Sequence, residues 1–99
     1  PPTGAEDGAV FASYLGRARP NPFNASATIQ YGIAAPGRVR VRAYDAAGRL
    51  VRTLVNEEME AGQHEVIWDG RTDEGSLAAS GVYFLGMEAE FPRGFRATP

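Results

Sequence analysis

The sequence has no cysteine and no lysine, a single histidine, one tryptophan, and no apolar run longer than a few residues. The missing cysteine removes disulfides, thiolate nucleophiles and cysteine-ligated metals together. The missing lysine leaves all 10 basic positions to arginine: Arg17, Arg19, Arg38, Arg40, Arg42, Arg49, Arg52, Arg71, Arg93 and Arg96. Against 12 acids they give a net charge of −2, which is not the footprint of a nucleic-acid binder. Apolar runs this short cannot make a helix that crosses a membrane, and no signal peptide or lipid-anchor motif stands out. The chain opens on Pro1 rather than methionine, so it reads as a processed product or as part of a longer protein.

What is present is an ordinary globular balance: 99 residues, 43% hydrophobic and 22% charged, enough for one domain with a modest core. Helical periodicity is hard to find. Seven short stretches carry strand character, separated by Gly, Pro, Asn or Asp. They are Val10–Leu15, Ala27–Ile33, Arg38–Asp45, Arg49–Val55, His64–Trp68, Gly81–Ala89 and a short last piece, Phe95–Thr98. The third alternates with period two, placing Val39, Val41 and Ala43 on a dry face and Arg38, Arg40 and Arg42 on a wet one. Pro20 and Pro22 each fix φ and lack an N–H, so Arg19–Asn24 reads as an irregular crossing. Ala35-Pro36-Gly37 and Ala46-Ala47-Gly48 read as turns, Asn56–Gly62 as a polar loop, and Asp69–Ser80 as a longer loop. Short strands at a spacing of roughly ten residues predict an all-β fold, an immunoglobulin-like β-sandwich of about seven short antiparallel strands. Strand count alone does not separate that sandwich from a small barrel. The core is expected around Trp68, Val66, Val39, Val41 and Val82.

Three phrases are more specific. The first is Pro20-Asn21-Pro22-Phe23-Asn24. The second runs from Tyr44-Asp45 through Gly48 to Leu54. The third runs from Ala61 through Trp68-Asp69-Gly70 to Gly81-Val82-Tyr83-Phe84. Their order and spacing resemble the C-terminal sorting domain (type A) of proteins exported by the type IX secretion system. The later two phrases are also similar to the immunoglobulin-like domain of flagellar hook-capping proteins. The first phrase favours the sorting branch. The resemblance covers roughly residues 14 to 90 and implies residues 1–13 as an extension or linker holding a possible first strand. Residues 14–99 are then the sandwich, short of the apolar strand that closes the family's fold. An edge left open in this way recruits strands from neighbours, and Val10–Leu15 of another copy is a candidate to fill it.

The residues also have local physical roles. Asp45 and Gly48 bracket a hairpin with a turn-favouring acid and a residue suited to φ > 0. Trp68 is a core plug whose indole N–H needs a partner. The Asp69 carboxylate can accept a backbone donor two residues on.

A catalytic constellation is not evident. His64 lies in an alternating strand with no serine motif around it, which reads as an exposed or edge histidine. Glu57, Glu58 and Glu60 read as a solvated loop, and with Glu65 would pair as acid and base only through an accident of folding. Asp69, Asp73 and Glu74 offer oxygens at loop spacing, as calcium requires. They lack the alternating acidic start and the closing bidentate glutamate, and Arg71 stands among them. Turn-capping carboxylates are the default reading. Arg38, Arg40 and Arg42 make a stripe with a repeat of about 7 Å, suited to an anionic glycan, lipopolysaccharide or an acidic neighbour through bidentate contacts. A solvated face with cross-strand acids is the plainer reading. Asn24-Ala25-Ser26 fits the N-glycosylation pattern, a frequent chance match.

These expectations describe a non-enzymatic module with no cofactor and no nucleic-acid partner, at the cell surface or outside it. The resemblance implies sorting and surface attachment of a secreted bacterial protein, recognised by export machinery that supplies the peptidase and the joining to anionic lipopolysaccharide. The alternatives are a subunit of an extracellular filament or sheath assembling by strand complementation with its own copies, or a hook-cap-like scaffold.

Overall fold

The computed structural model describes residues 9–19 and 26–91. Six strands follow in chain order: β1 (Ala9–Ala18), β2 (Ala27–Ile33), β3 (Gly37–Tyr44), β4 (Leu50–Met59), β5 (Gly62–Trp68) and β6 (Tyr83–Phe91). One sheet has the order β1-β6-β3-β4 and the other pairs β2 with β5. Every ladder is antiparallel. The strands thus divide between two separate sheets, which is a sandwich and not a closed barrel. The expected seventh piece, Phe95–Thr98, and the whole of Pro20–Asn24 lie outside the described residues.

The alternation in β3 reads directly into the fold: Val39, Val41 and Ala43 are fully buried, and the arginines between them are half-buried on the other face. From β6, Tyr83, Leu85, Ala89 and Phe91 join them, and from the facing sheet come Ile29, Tyr31, Ile33 and Trp68. Val66 and Val82, expected in the centre, are only half-buried. Val66 sits on a two-stranded sheet too narrow to cover both its edges, and Val82 precedes β6 in the loop. Trp68 is 1% exposed, with Tyr83 edge-on against it at 5.3 Å. Its indole N–H donates to the Arg71 carbonyl at 2.8 Å, the partner that a buried tryptophan requires.

The Asn56–Gly62 stretch is mostly strand and not loop. β4 continues through Asn56, Glu57 and Glu58 to Met59, and only Glu60 and Ala61 separate it from β5. Acidic side chains are tolerated there because β4 is an edge strand whose register sets Glu58 opposite Arg38 and Asn56 opposite Arg40. Across this pairing Arg38 Nε donates to Asn56 Oδ1 at 3.1 Å.

Two local devices fix the ends of the strands. In the β3–β4 hairpin, Asp45 Oδ1 accepts the N–H groups of Ala47 and Arg49, both at 2.9 Å, and Gly48 takes φ 86°. That left-handed conformation is one that glycine enters without a Cβ penalty. The β5–β6 crossover is tied to the outer edge of β4. Asp73 N–H donates to the Val51 carbonyl at 3.0 Å, and Thr53 N–H donates to Asp73 Oδ1 at 3.0 Å. The loop thereby covers part of an edge that would otherwise present unpaired backbone groups.

Candidate interaction surface

The outer face of the four-stranded sheet carries the chemistry. The register makes cross-sheet rows. Phe84 lies between Arg17 and Tyr44, Gly86 between Tyr14 and Arg42, Glu88 between Ala12 and Arg40, and Glu90 opposite Arg38. The arginine stripe expected from β3 is therefore a real column beside a column of acids on β6. Arg40 stands 3.7 Å from both Glu88 and Glu90, and Arg42 stands 3.6 Å from Glu88. Arg38 donates from Nε to Asn56 Oδ1 at 3.1 Å. These half-exposed pairs are longer than the 2.7–2.9 Å or so of a strong charge-assisted bond, and contribute about 0–1 kcal/mol each.

Beside the stripe the face turns aromatic. Tyr14 is 65% exposed and Phe84 38%, their rings 6.5 Å apart. With Tyr44, Arg40 and Arg42 they wall a shallow hollow of about 410 Å³. Reading the sequence strand by strand missed Tyr14, Phe84, Gly86 and Glu88 as members of this face. The alternation of β6 was there to find Phe84, Gly86 and Glu88, but the registers that set β6 beside β3 and bring Tyr14 of β1 next to it are not local properties.

The other candidates are not gathered into one place. Asp69 and Asp73 turn towards Arg52, with distances of 3.4 and 3.9 Å, and accept backbone N–H groups from Arg71 and Thr53. Among the described residues no group of three or more His, Asp or Glu side chains is placed to hold a metal, so Glu74 does not complete a calcium set with them. His64 stacks on Tyr31 at 5.5 Å and donates from Nε2 to the Glu60 carbonyl at 2.6 Å. Burial, with Glu57 adding repulsion, pushes the Tyr31 phenol up. The Asp45 carboxyl is held below the ordinary carboxylate range by the backbone N–H of Arg49 first, then by that of Ala47 and the Arg49 charge. Gly70 and Gly81 flank the crossover at φ 80° and 155°, and the Tyr83 hydroxyl donates to the Ala79 carbonyl at 2.6 Å. Tyr44, Asp45, Gly48, Trp68, Asp69, Gly70, Gly81 and Tyr83 are thus framework residues of turns, crossover and core, Tyr44 also lining the hollow.

Residues 23–91 match the family model described as the FlgD Ig-like domain. The basal-body rod modification protein FlgD of Escherichia coli K12 is 31% identical over 90 residues, covering 88% of this chain and 32% of that protein. The protein of the same name from Salmonella typhimurium is 40% identical over 45 residues, covering 46% of this chain and 19% of that protein. The chain therefore spans a third or less of the curated relatives it matches. Among solved structures, FlgD from Xanthomonas campestris superposes with a TM-score of 0.66 at 21% identity, covering 90% of this chain and 70% of that one. FlgD from P. aeruginosa gives a TM-score of 0.63 at 18% identity, covering 88% and 76%. At these identities the superpositions speak for the fold. The sequence match over most of the chain goes further: this chain belongs to the FlgD Ig-like domain family.

Proposed function

We propose that the chain is a non-catalytic protein-docking module of an extracellular assembly, of the kind formed by flagellar hook-capping proteins. The observation that carries this reading is the family match over residues 23–91, together with relatives named as flagellar assembly proteins. The physical mechanism is recognition by a sheet face, with arginines and aromatic rings supplying contacts and no reacting group required. The experiment is a chimera in which this chain replaces the Ig-like domain of a hook-capping protein in a strain deleted for that protein. Restored hooks by electron microscopy support the reading. A stably produced chimera that leaves the strain without hooks overturns it.

One observation favours a second reading, as a sorting module for surface attachment. That observation is the phrase Pro20-Asn21-Pro22-Phe23-Asn24, which resembles the sorting branch. Fusion of the chain to a carrier in a host with a type IX machinery separates the two. Appearance of the carrier at the cell surface supports sorting, and retention inside the cell removes it.

A further inference from the structure

The rows across the centre of the outer face pair unlike with unlike. Arg38 lies beside Glu90, Arg40 beside Glu88, Arg42 beside Gly86 and Tyr44 beside Phe84. The cationic members all stand on β3 and the anionic members on β6, so two columns of opposite sign run side by side, about 4.8 Å apart. Their mutual pairing is loose, at 3.6 to 3.7 Å, and it leaves Arg40 25%, Arg42 31%, Glu88 39% and Glu90 41% exposed. Each of these groups keeps hydrogen-bonding capacity towards whatever covers the face.

A face of this pattern is its own complement. A half-turn about an axis parallel to the strands, between β3 and β6, brings β6 of a second copy over β3 without changing height along the strand. Each row then meets itself reversed. Arg38 faces Glu90 of the second copy, Arg40 faces Glu88, and Tyr44 faces Phe84. Arg42 comes over Gly86, where no side chain stands in its way, with Glu88 next along the same face. The same contacts recur in the opposite direction, as a twofold interface requires. A partner with a face of one sign would satisfy one column and repel the other.

We propose that the outer face of the four-stranded sheet binds a second copy of the chain in this twofold arrangement. Aligned sheets pack about 10 Å apart at an angle of about 30°, so the central columns meet and the outer strands diverge. Arginine and glutamate side chains reaching from both sides span that gap. Four strands of about eight residues make a face of roughly 19 by 26 Å. A contact of that size lies at the low end of specific interfaces, so the dimer is weak and reversible. The inference goes beyond the hook-cap reading and does not rest on it, since this chain alone makes the contact.

The test is sedimentation equilibrium of the whole chain from micromolar to millimolar concentration, with amide NMR to map the contact. The expected result is a dimer that weakens with added salt, with concentration-dependent shifts on β3 and β6. Arg40→Glu and Glu88→Arg each set like charges across the interface, and each alone is expected to weaken the dimer about tenfold or more. An equimolar mixture of the two variants is expected to dimerise again. Position 40 of one then meets position 88 of the other with opposite signs, and the remaining contact is an ordinary Arg40–Glu88 pair. A wild type that stays monomeric into the millimolar range would overturn the proposal. So would shifts confined to β2 and β5, a dimer undisturbed by either reversal, or a mixture no better than the single variants.

Discussion

At the scale of single residues, Trp68 and Asp45 do different work for the same fold. Trp68 fills the centre between the sheets, and its one polar atom is spent on the Arg71 carbonyl. Trp68→Ala removes that volume and leaves the carbonyl one donor poorer, so chemical denaturation is expected to show a loss of about 3–5 kcal/mol. A loss that large is a substantial share of the roughly 5–15 kcal/mol that holds a domain together. Asp45 acts on the hairpin through its charge. Its folded-state pKa is lowered, so its contribution is present above the unfolded value of about 3.9 and is lost as pH falls through the lower folded value. Melting temperature measured against pH is therefore expected to separate wild type from Asp45→Asn at neutral pH, with the two curves converging in acid. Both residues were legible in the sequence, because a lone tryptophan ending a strand and an Asp-x-x-Gly turn are local signals.

At the scale of elements, the crossover after β5 also serves as a cover for β4. Asp73 exchanges hydrogen bonds with the backbone of that edge strand, and Arg52 reaches Asp69, Asp73 and the Arg71 carbonyl from it. Asp73→Ala is expected to speed amide exchange at Thr53 selectively and to cost about 1 kcal/mol. Unchanged protection at Thr53 would mean that the loop does not hold the edge. The same pair of residues shows where sequence reading ran short. Asp69 and Asp73 looked like possible cation ligands because their spacing is visible, while their partner Arg52 is remote in sequence and set by the fold. The strand character of Ala27–Ile33 and Arg38–Asp45 came through because one face of each is dry. The extension of β4 into Asn56–Met59 did not, since an edge strand carrying Asn56, Glu57 and Glu58 in succession has no apolar alternation to read.

At the scale of the whole molecule, one broad sheet lies against a narrow one, and the broad sheet turns a patterned face outward. β1 already occupies the β6 edge along its length, from Ala9 opposite Phe91 to Ala18 opposite Tyr83. A strand donated from another copy would have to displace it there, which leaves the face and not that edge for association. The arginine stripe was legible from the period of β3. Its acidic neighbours, the aromatic walls and the glycine floor were not, because they come from β1 and β6 and meet only through register. The absence of cysteine makes this face directly measurable, since a single introduced thiol is the only one in the chain. Ala12 is exposed on the rim of the hollow, and Glu65 is exposed on the other sheet. The decisive measurement is maleimide labelling of Ala12→Cys and Glu65→Cys in the hook-cap chimera, free and assembled. Assembly is expected to protect position 12 and leave position 65 reactive. Equal reactivity of position 12 in both states would contradict it.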